Sequence, residues 1–260
     1  MVSKVGFNDS QKNELIIRRR RKKLIQKSIL LFIFLASILT TLCFKHPYFN
    51  VKKIQVKGNK NIISEDIIKF SQIHKGDNIF YLNMDKAKRG IMENPYILKA
   101  EIERKIPDGI VINVKEREAV FYSGEKEDFF IIDKNGVVLE RKKDIKGMNL
   151  VKLEGFDVNK CEIGKVININ DKRKIEAANT ISSLIGTKKD NFKVSLVNIS
   201  NINNILVYYK NICIKLGNIE NLEKKLNRAF SIITQREELD KAKGYIDVSF
   251  DGNPVVYIQK

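Results

Sequence analysis

Residues 97–116, ILKAEIERKIPDGIVINVKE, decide the fold of this chain. Leu98, Ala100, Ile102, Arg104 and Ile106 share one parity over Ile97–Ile106. Ile110, Ile112 and Val114 share one over Ile110–Glu116. Alternation with period two marks a strand whose faces meet different surroundings. Between the two runs stands Pro107-Asp108-Gly109, where proline fixes φ and glycine permits φ > 0. The stretch is predicted to be a β-hairpin.

Upstream, FNVKKIQVKG (Phe49–Gly58) alternates through Phe49, Val51, Ile54 and Val56 and ends in a Gly-Asn turn signal, so it reads as a strand. Asn61–Ser71 reads as a helix with Ser64 as N-cap, Glu65 and Asp66 in the first turn, and Ile67, Ile68 and Phe70 on the buried side. Gly76-Asp77-Asn78 breaks it. Asn83 is expected to cap a second helix, Met84–Glu93, with Asp85 in its first turn and Ala87, Ile91 and Met92 facing inward. Asn94-Pro95 stops that helix, because proline disfavours a helical residue before it. Strand, helix, helix and hairpin close a small core, two helices on one side of a three-stranded sheet. Arg104 and Glu116-Arg117 are expected to form surface cross-strand pairs, worth about 0–1 kcal/mol when exposed.

Downstream, Ala119–Tyr122 reads as a strand and the charged Gly124–Asp128 as a loop. Phe129–Asp133, Lys134-Asn135-Gly136 and Val137–Arg141 read as a hairpin whose Asn-Gly turn places both residues at φ > 0. Leu150–Glu154 is a short strand. Asp171–Ile185 reads as a helix with Gly186 as its C-cap. Phe192–Ile199, Ile205–Tyr209 and Ile212–Leu216 read as consecutive antiparallel strands. Asn221–Leu239 is a second helix, with Leu222, Leu226, Ala229, Phe230 and Ile233 recurring at three and four. Tyr245–Phe250 and Pro254–Ile258 close the chain as strands around Asp251-Gly252-Asn253. A terminal strand has nothing after it to cover it, and open edges recruit other chains by strand addition.

In front of all this lies Ser28–Phe44, SILLFIFLASILTTLCF, which has no charge, glycine or proline and is flanked by Lys27 and Lys45. As a helix it reaches roughly 25 Å, and Leu24 and Ile25 extend it toward a ~30 Å hydrocarbon core, with Lys27 reaching back to the headgroups. Met1–Ile17 reads as a short flexible tail. Arg18–Lys23 (RRRRKK), just before the apolar run, fits the positive-inside rule, so the tail is expected in the cytoplasm and the rest outside. The run is too long for a cleavable signal core, and no A-x-A-like site follows Phe44. Leu42 before Cys43 argues against lipoprotein processing. The reading is a single-pass signal anchor.

The 260 residues carry a net charge of +17; nine basic against two acidic residues in Met1–Lys27 leave +10 for the remainder. The charge alone would fit nucleic acid, but the densest block has a topological explanation, so no nucleic-acid partner is expected. Cys43, Cys161 and Cys213 have no metal-ligand spacing, and a Cys161–Cys213 bridge is left open by the sequence. His46 and His74 are the only histidines, and no phosphate loop, dinucleotide fingerprint, zinc-protease helix or nucleophile elbow occurs. No cofactor, metal or catalytic activity is expected.

The arrangement, with Gly76, Asn94-Pro95, Ala100, Arg104, Pro107, Ile110–Val114, Glu116-Arg117 and Ala119-Val120 in this order after a signal anchor, resembles the POTRA domain of the bacterial FtsQ/DivIB cell-division family. DKNGVVLERK and LVKLEG resemble the start of that family's β domain, with Val151 where proline is commoner, and YIDVSFDGNPVVY resembles its C-terminal motif. The resemblance implies an α+β fold: one transmembrane helix, a POTRA domain (βααββ), then a mixed, largely antiparallel β domain with two helices. It implies domains at 1–27, 28–44, 48–117 and 118–260. It also implies a non-catalytic divisome scaffold in the cell membrane, concentrated at the septum, whose partners are DivIC/FtsB-like and FtsL-like proteins. Tyr245, Val248, Phe250, Val255, Val256 and Tyr257 are then the partner-contact candidates. The alternative is an exported wall-binding or wall-remodelling protein whose basic ectodomain holds anionic cell-wall polymers.

Overall fold

The computed structural model describes residues 9–167, 171–187 and 192–259. Helix α1 runs over Asp9–Phe44. The tail expected to be flexible is therefore helical from Asp9 onward, since no glycine or proline interrupts the chain between Gly6 and Pro47. Ile17–Leu42 is long and apolar enough to cross a membrane, and none of it is buried in the protein. Both of its threonine hydroxyls bond back within the helix: Thr40 Oγ1 donates to the Ala36 carbonyl at 2.7 Å and Thr41 Oγ1 to the Ser37 carbonyl at 2.8 Å.

The chain forms two compact units, one of Met1–Gln55, Ile73–Met84 and Ile102–Ile112, the other of Val56–Gln72, Asp85–Glu101 and Asn113–Lys260. After a 3-10 turn at Pro47–Phe49 come β1 (Lys53–Lys57), α2 (Ser64–Ser71), α3 (Met84–Met92), β2 (Ile97–Lys105) and β3 (Gly109–Glu116), and the strands order as β1-β3-β2. Element order follows the alternation. Three local expectations do not hold. Ser64 is the first helical residue and not the cap; the cap position is Ile63, and the Ser64 hydroxyl takes a hydrogen bond from Asn59 Nδ2 at 3.3 Å. Gly109 is not left-handed; a Cβ there would sit 3.1 Å from the Lys105 carbonyl, so the turn uses its lack of a side chain.

The third concerns the charges. Arg104, Glu116 and Arg117 do not pair across strands at the surface. Arg104 donates through Nε to the Ile79 carbonyl at 2.7 Å and through Nη2 to Leu82 at 2.9 Å. Glu116 accepts the backbone N–H groups of Lys60 (2.7 Å), Asn61 (3.0 Å) and Ile62 (3.1 Å). Arg117 Nη1 meets Asp133 Oδ2 at 2.8 Å, with the Asp133 side chain 2% exposed. Each charged group ties down a loop that has no ladder of its own.

The second unit contains a nine-stranded sheet. Its strands are β4 (Ala119–Glu125), β5 (Asp128–Asp133), β6 (Val138–Lys142), β7 (Val151–Glu154), β8 (Val194–Asn198), β9 (Ile205–Tyr209), β10 (Ile212–Gly217), β11 (Gly244–Asp247) and β12 (Val255–Ile258). Their order is β12-β11-β10-β9-β8-β7-β4-β5-β6. β8, β9 and β10 pair antiparallel as expected, while β4–β7, β7–β8 and β10–β11 are parallel. Helices α4 (Lys172–Thr187) and α5 (Leu222–Gln235) supply Ala178, Ile181, Leu226 and Phe230 to the core shared with Phe121, Leu153 and Val207.

The expected loop 124–128 is instead strand up to Glu125, a two-residue turn with Lys126 at φ 50° and Glu127 at φ 66°, and strand again from Asp128. At the next hairpin Gly136 alone is left-handed (φ 78°), and Asn135 is not. Asp133 Oδ1 accepts the N–H of Asn135 and of Val137, each at 2.8 Å, so the aspartate builds the turn. Gly186 lies within α4 and does not cap it. α5 ends at Gln235 and gives way to a 3-10 turn at Glu237–Asp240.

Candidate functional site: the open edge of the nine-stranded sheet

β11 enters the sheet through α5. The helix buries Leu222, Leu226, Ala229, Phe230 and Ile233, with Phe230 stacked on Phe192 at 4.3 Å. β11 then runs parallel to β10, with Cys213 opposite Tyr245 and Lys215 opposite Asp247. The returning turn is fastened at three points. Val248 N–H donates to the Lys215 carbonyl at 3.0 Å, Asp247 Oδ1 accepts Ser249 Oγ at 2.6 Å, and Arg228 Nη1 donates to the Gly252 carbonyl at 2.6 Å. β12 pairs antiparallel with β11, with Tyr245 opposite Tyr257 and Ile246 opposite Val256.

Backbone direction on β12 follows from one bond. Gln259 N–H donates to the Lys243 carbonyl at 2.7 Å. Hydrogen-bonding direction alternates along an antiparallel strand, so Tyr257 and Val255 also face β11. The N–H and C=O groups of Val256 and Ile258 point away from the sheet. Among the described residues no strand pairs with that side of β12. The opposite edge is treated differently: β6 begins under the 164–167 segment, with Val138 N–H bonded to the Lys165 carbonyl at 2.9 Å and Gly164 N–H to the Val138 carbonyl at 2.8 Å. One edge is partly covered and the other is open.

The six residues singled out from the sequence separate by location. Val255, Tyr257 and Phe250 are exposed at 45%, 51% and 46%. Tyr245 is half-buried, stacks on Tyr257 with ring centroids 5.3 Å apart, and shares its face with Val255 and Tyr257. Val256 is half-buried and packs against the core. Val248 is 3% exposed, so its side chain offers no surface; β11 ends at Asp247, and the bond to Lys215 tucks Val248 inward.

Two residues escaped the sequence reading. Lys215 Nζ stands 3.9 Å from the Tyr245 ring centroid, a cation–π contact on the same face; only the register shows it. Gly244 faces β12 so closely that a Cβ would lie 1.9 Å from the Tyr257 carbonyl oxygen. A glycine opening a strand is the available signal for such an approach. Cys213 and Cys161 are both free thiols, which resolves the open bridge. Burial pushes the Cys161 thiol up to about 11, with Asp157 adding to it. It raises Cys213 too, although the Tyr208 hydroxyl opposes it. A free backbone edge beside a tyrosine pair is a surface to which an extended chain can add as a further strand.

Comparison with known proteins identifies the family. Residues 49–117 match the POTRA domain of FtsQ type, and residues 121–249 match the C-terminal domain of the cell division protein FtsQ/DivIB. The chain is 51% identical to cell division protein DivIB of Clostridium tetani (strain Massachusetts / E88) over 256 residues, covering 98% of this chain and 97% of that protein. It is 48% identical to DivIB of Clostridium acetobutylicum over 96% of this chain and 99% of that one. Toward DivIB of Bacillus subtilis (strain 168) identity is 31% over 126 residues, 47% of this chain and 48% of that one. With its anchor-length helix, α+β order and end-to-end likeness to these relatives, the chain belongs to the FtsQ/DivIB family of cell division proteins.

Proposed function

We propose that the chain is a non-catalytic, membrane-anchored scaffold of the division machinery that binds other septal membrane proteins by strand addition at β12. The supporting observation is the open edge: the outward N–H and C=O groups of Val256 and Ile258, flanked by exposed Val255 and Tyr257. In this reading residues 1–27 are a cytoplasmic tail, 28–44 the span, 48–117 the POTRA domain and 118–260 the β domain. Arg18–Lys23, immediately before the apolar stretch, supports a cytoplasmic N-terminus. The partners are DivIC/FtsB-like and FtsL-like single-span proteins, and tethering in one membrane raises their effective concentration enough for a short edge to suffice.

Val256→Pro tests it. Its N–H points outward, so proline removes a bond offered to the partner and none within the sheet. Co-purification of the DivIC-like partner with the full chain is expected to fall about tenfold or more, with little change in melting temperature. Val255→Pro, which removes an inward N–H, is expected to lower the melting temperature as well. Unchanged capture by the Val256 variant would move the interface off β12. Wall association that persists without partners and fades with salt would favour anionic wall polymers instead.

A further inference from the structure

The unit that contains α1 gathers three loops at the C-terminal end of that helix. Asn78 Nδ2 donates to the Phe44 carbonyl at 2.8 Å, Ile79 N–H to Phe49 at 3.0 Å, and Lys52 N–H to Asp108 at 2.9 Å. Arg104 adds its two bonds to Ile79 and Leu82. Residues 44–52, 76–82 and 104–109 are thus one surface. Its rings interlock: Phe44 and Phe80 are 4.6 Å apart, Phe49 and Phe80 5.1 Å, and Tyr48 and Phe49 5.3 Å. The helix passes into this surface within a residue or two of its last turn.

Four large apolar side chains on it remain open: Phe44 at 42%, Tyr48 at 56%, Tyr81 at 62% and Ile106 at 63%. Lys45, Lys52, Lys53 and Lys105 are exposed among them. Tyrosines mixed with lysines are the composition of a membrane–water boundary, where rings sit at headgroup level and ammonium groups reach the phosphates. What covers the patch follows from α1. Its apolar side chains are exposed along its length, and the helix ends in this same surface. A bilayer that takes up α1 therefore begins where these four side chains stand.

We propose that this end of the unit is a membrane-docking surface, with Tyr48, Tyr81 and Ile106 seated at the headgroup–acyl boundary of the leaflet from which α1 emerges. The proposal rests on the reading of α1 as a membrane anchor. It makes the anchor a fixed mount for these loops, with the bilayer as their solvent on one side.

The chain has no tryptophan, so single substitutions give unambiguous fluorophores. The full chain, reconstituted in phosphatidylcholine nanodiscs, is compared as Tyr81→Trp, Ile106→Trp and Phe34→Trp. Each is measured with a nitroxide on the lipid headgroup or deep on the acyl chain. The headgroup nitroxide is expected to quench the first two to about half or less, and the deep nitroxide to quench Phe34→Trp. If Phe34→Trp is quenched but neither Tyr81→Trp nor Ile106→Trp is, the span stands and the docking surface is overturned. Quenching at one loop without the other also overturns it, because the three loops form one surface. If Phe34→Trp escapes the deep nitroxide, the anchor fails and the docking surface falls with it.

Discussion

Asp133 holds Arg117 through one carboxylate oxygen and the turn N–H groups of Asn135 and Val137 through the other. Removing it leaves a guanidinium and two amides without their acceptor in a largely dry place. Asp133→Ala is expected to cost about 3 kcal/mol, read as a lowered melting temperature of the full chain in detergent. Glu116 gives a pH-dependent counterpart. Burial raises its carboxyl, but the N–H groups of Lys60, Asn61 and Ile62 together outweigh this and hold it below the usual value. A group depressed in the folded state stabilises above its unfolded value and loses that stabilisation as pH falls through the folded one. Glu116→Gln should therefore cost about 1–2 kcal/mol at pH 7, and the gap to the parent chain should close as pH drops below about 4. A gap independent of pH would show that the carboxylate charge is not what fixes the loop. None of these roles was legible from residue type. Arg104 and Glu116 lie on strands and Arg117 beside one, and only the fold brings loops 60–62, 79–82 and 133–137 within their reach.

Strands and helices were legible where their periods were clean. The 97–116 hairpin, α3 and α5 lie within a few residues of where alternation or three-four spacing puts them. The β4–β5 turn was not, because Lys126 and Glu127 adopt φ > 0 without glycine or asparagine to announce it. The order of the nine strands was also out of reach, since the parallel pairings β4–β7, β7–β8 and β10–β11 join segments far apart in sequence. At the open edge, the pairing of β11 with β12 depends on Gly244. Gly244→Ala would press a methyl group onto the Tyr257 carbonyl. Amide exchange of Val255, Tyr257 and Gln259, whose N–H groups face β11, is expected to rise about tenfold or more, with α5 and β10 unaffected. Unchanged exchange would mean that β11 and β12 can separate without losing their register.

For the molecule as a whole, the proposed scaffold role requires residues 118–260 to lie outside the cytoplasm. A reporter fused after Lys260 that works only outside the cytoplasm should be active, and a cytoplasm-only reporter silent. The reverse result would place the β domain inside and return the basic charge to a nucleic-acid explanation. The sequence by itself determined the anchor-length helix, the order of elements and the family, because hydrophobic length, period and motif order are properties of neighbours along the chain. Tertiary structure alone decided which edge is open, that Val248 is inside while Tyr257 is not, and what Arg104, Glu116 and Asp133 hold. Those facts depend on register and on long-range pairing, which bring distant residues together and which no local pattern records.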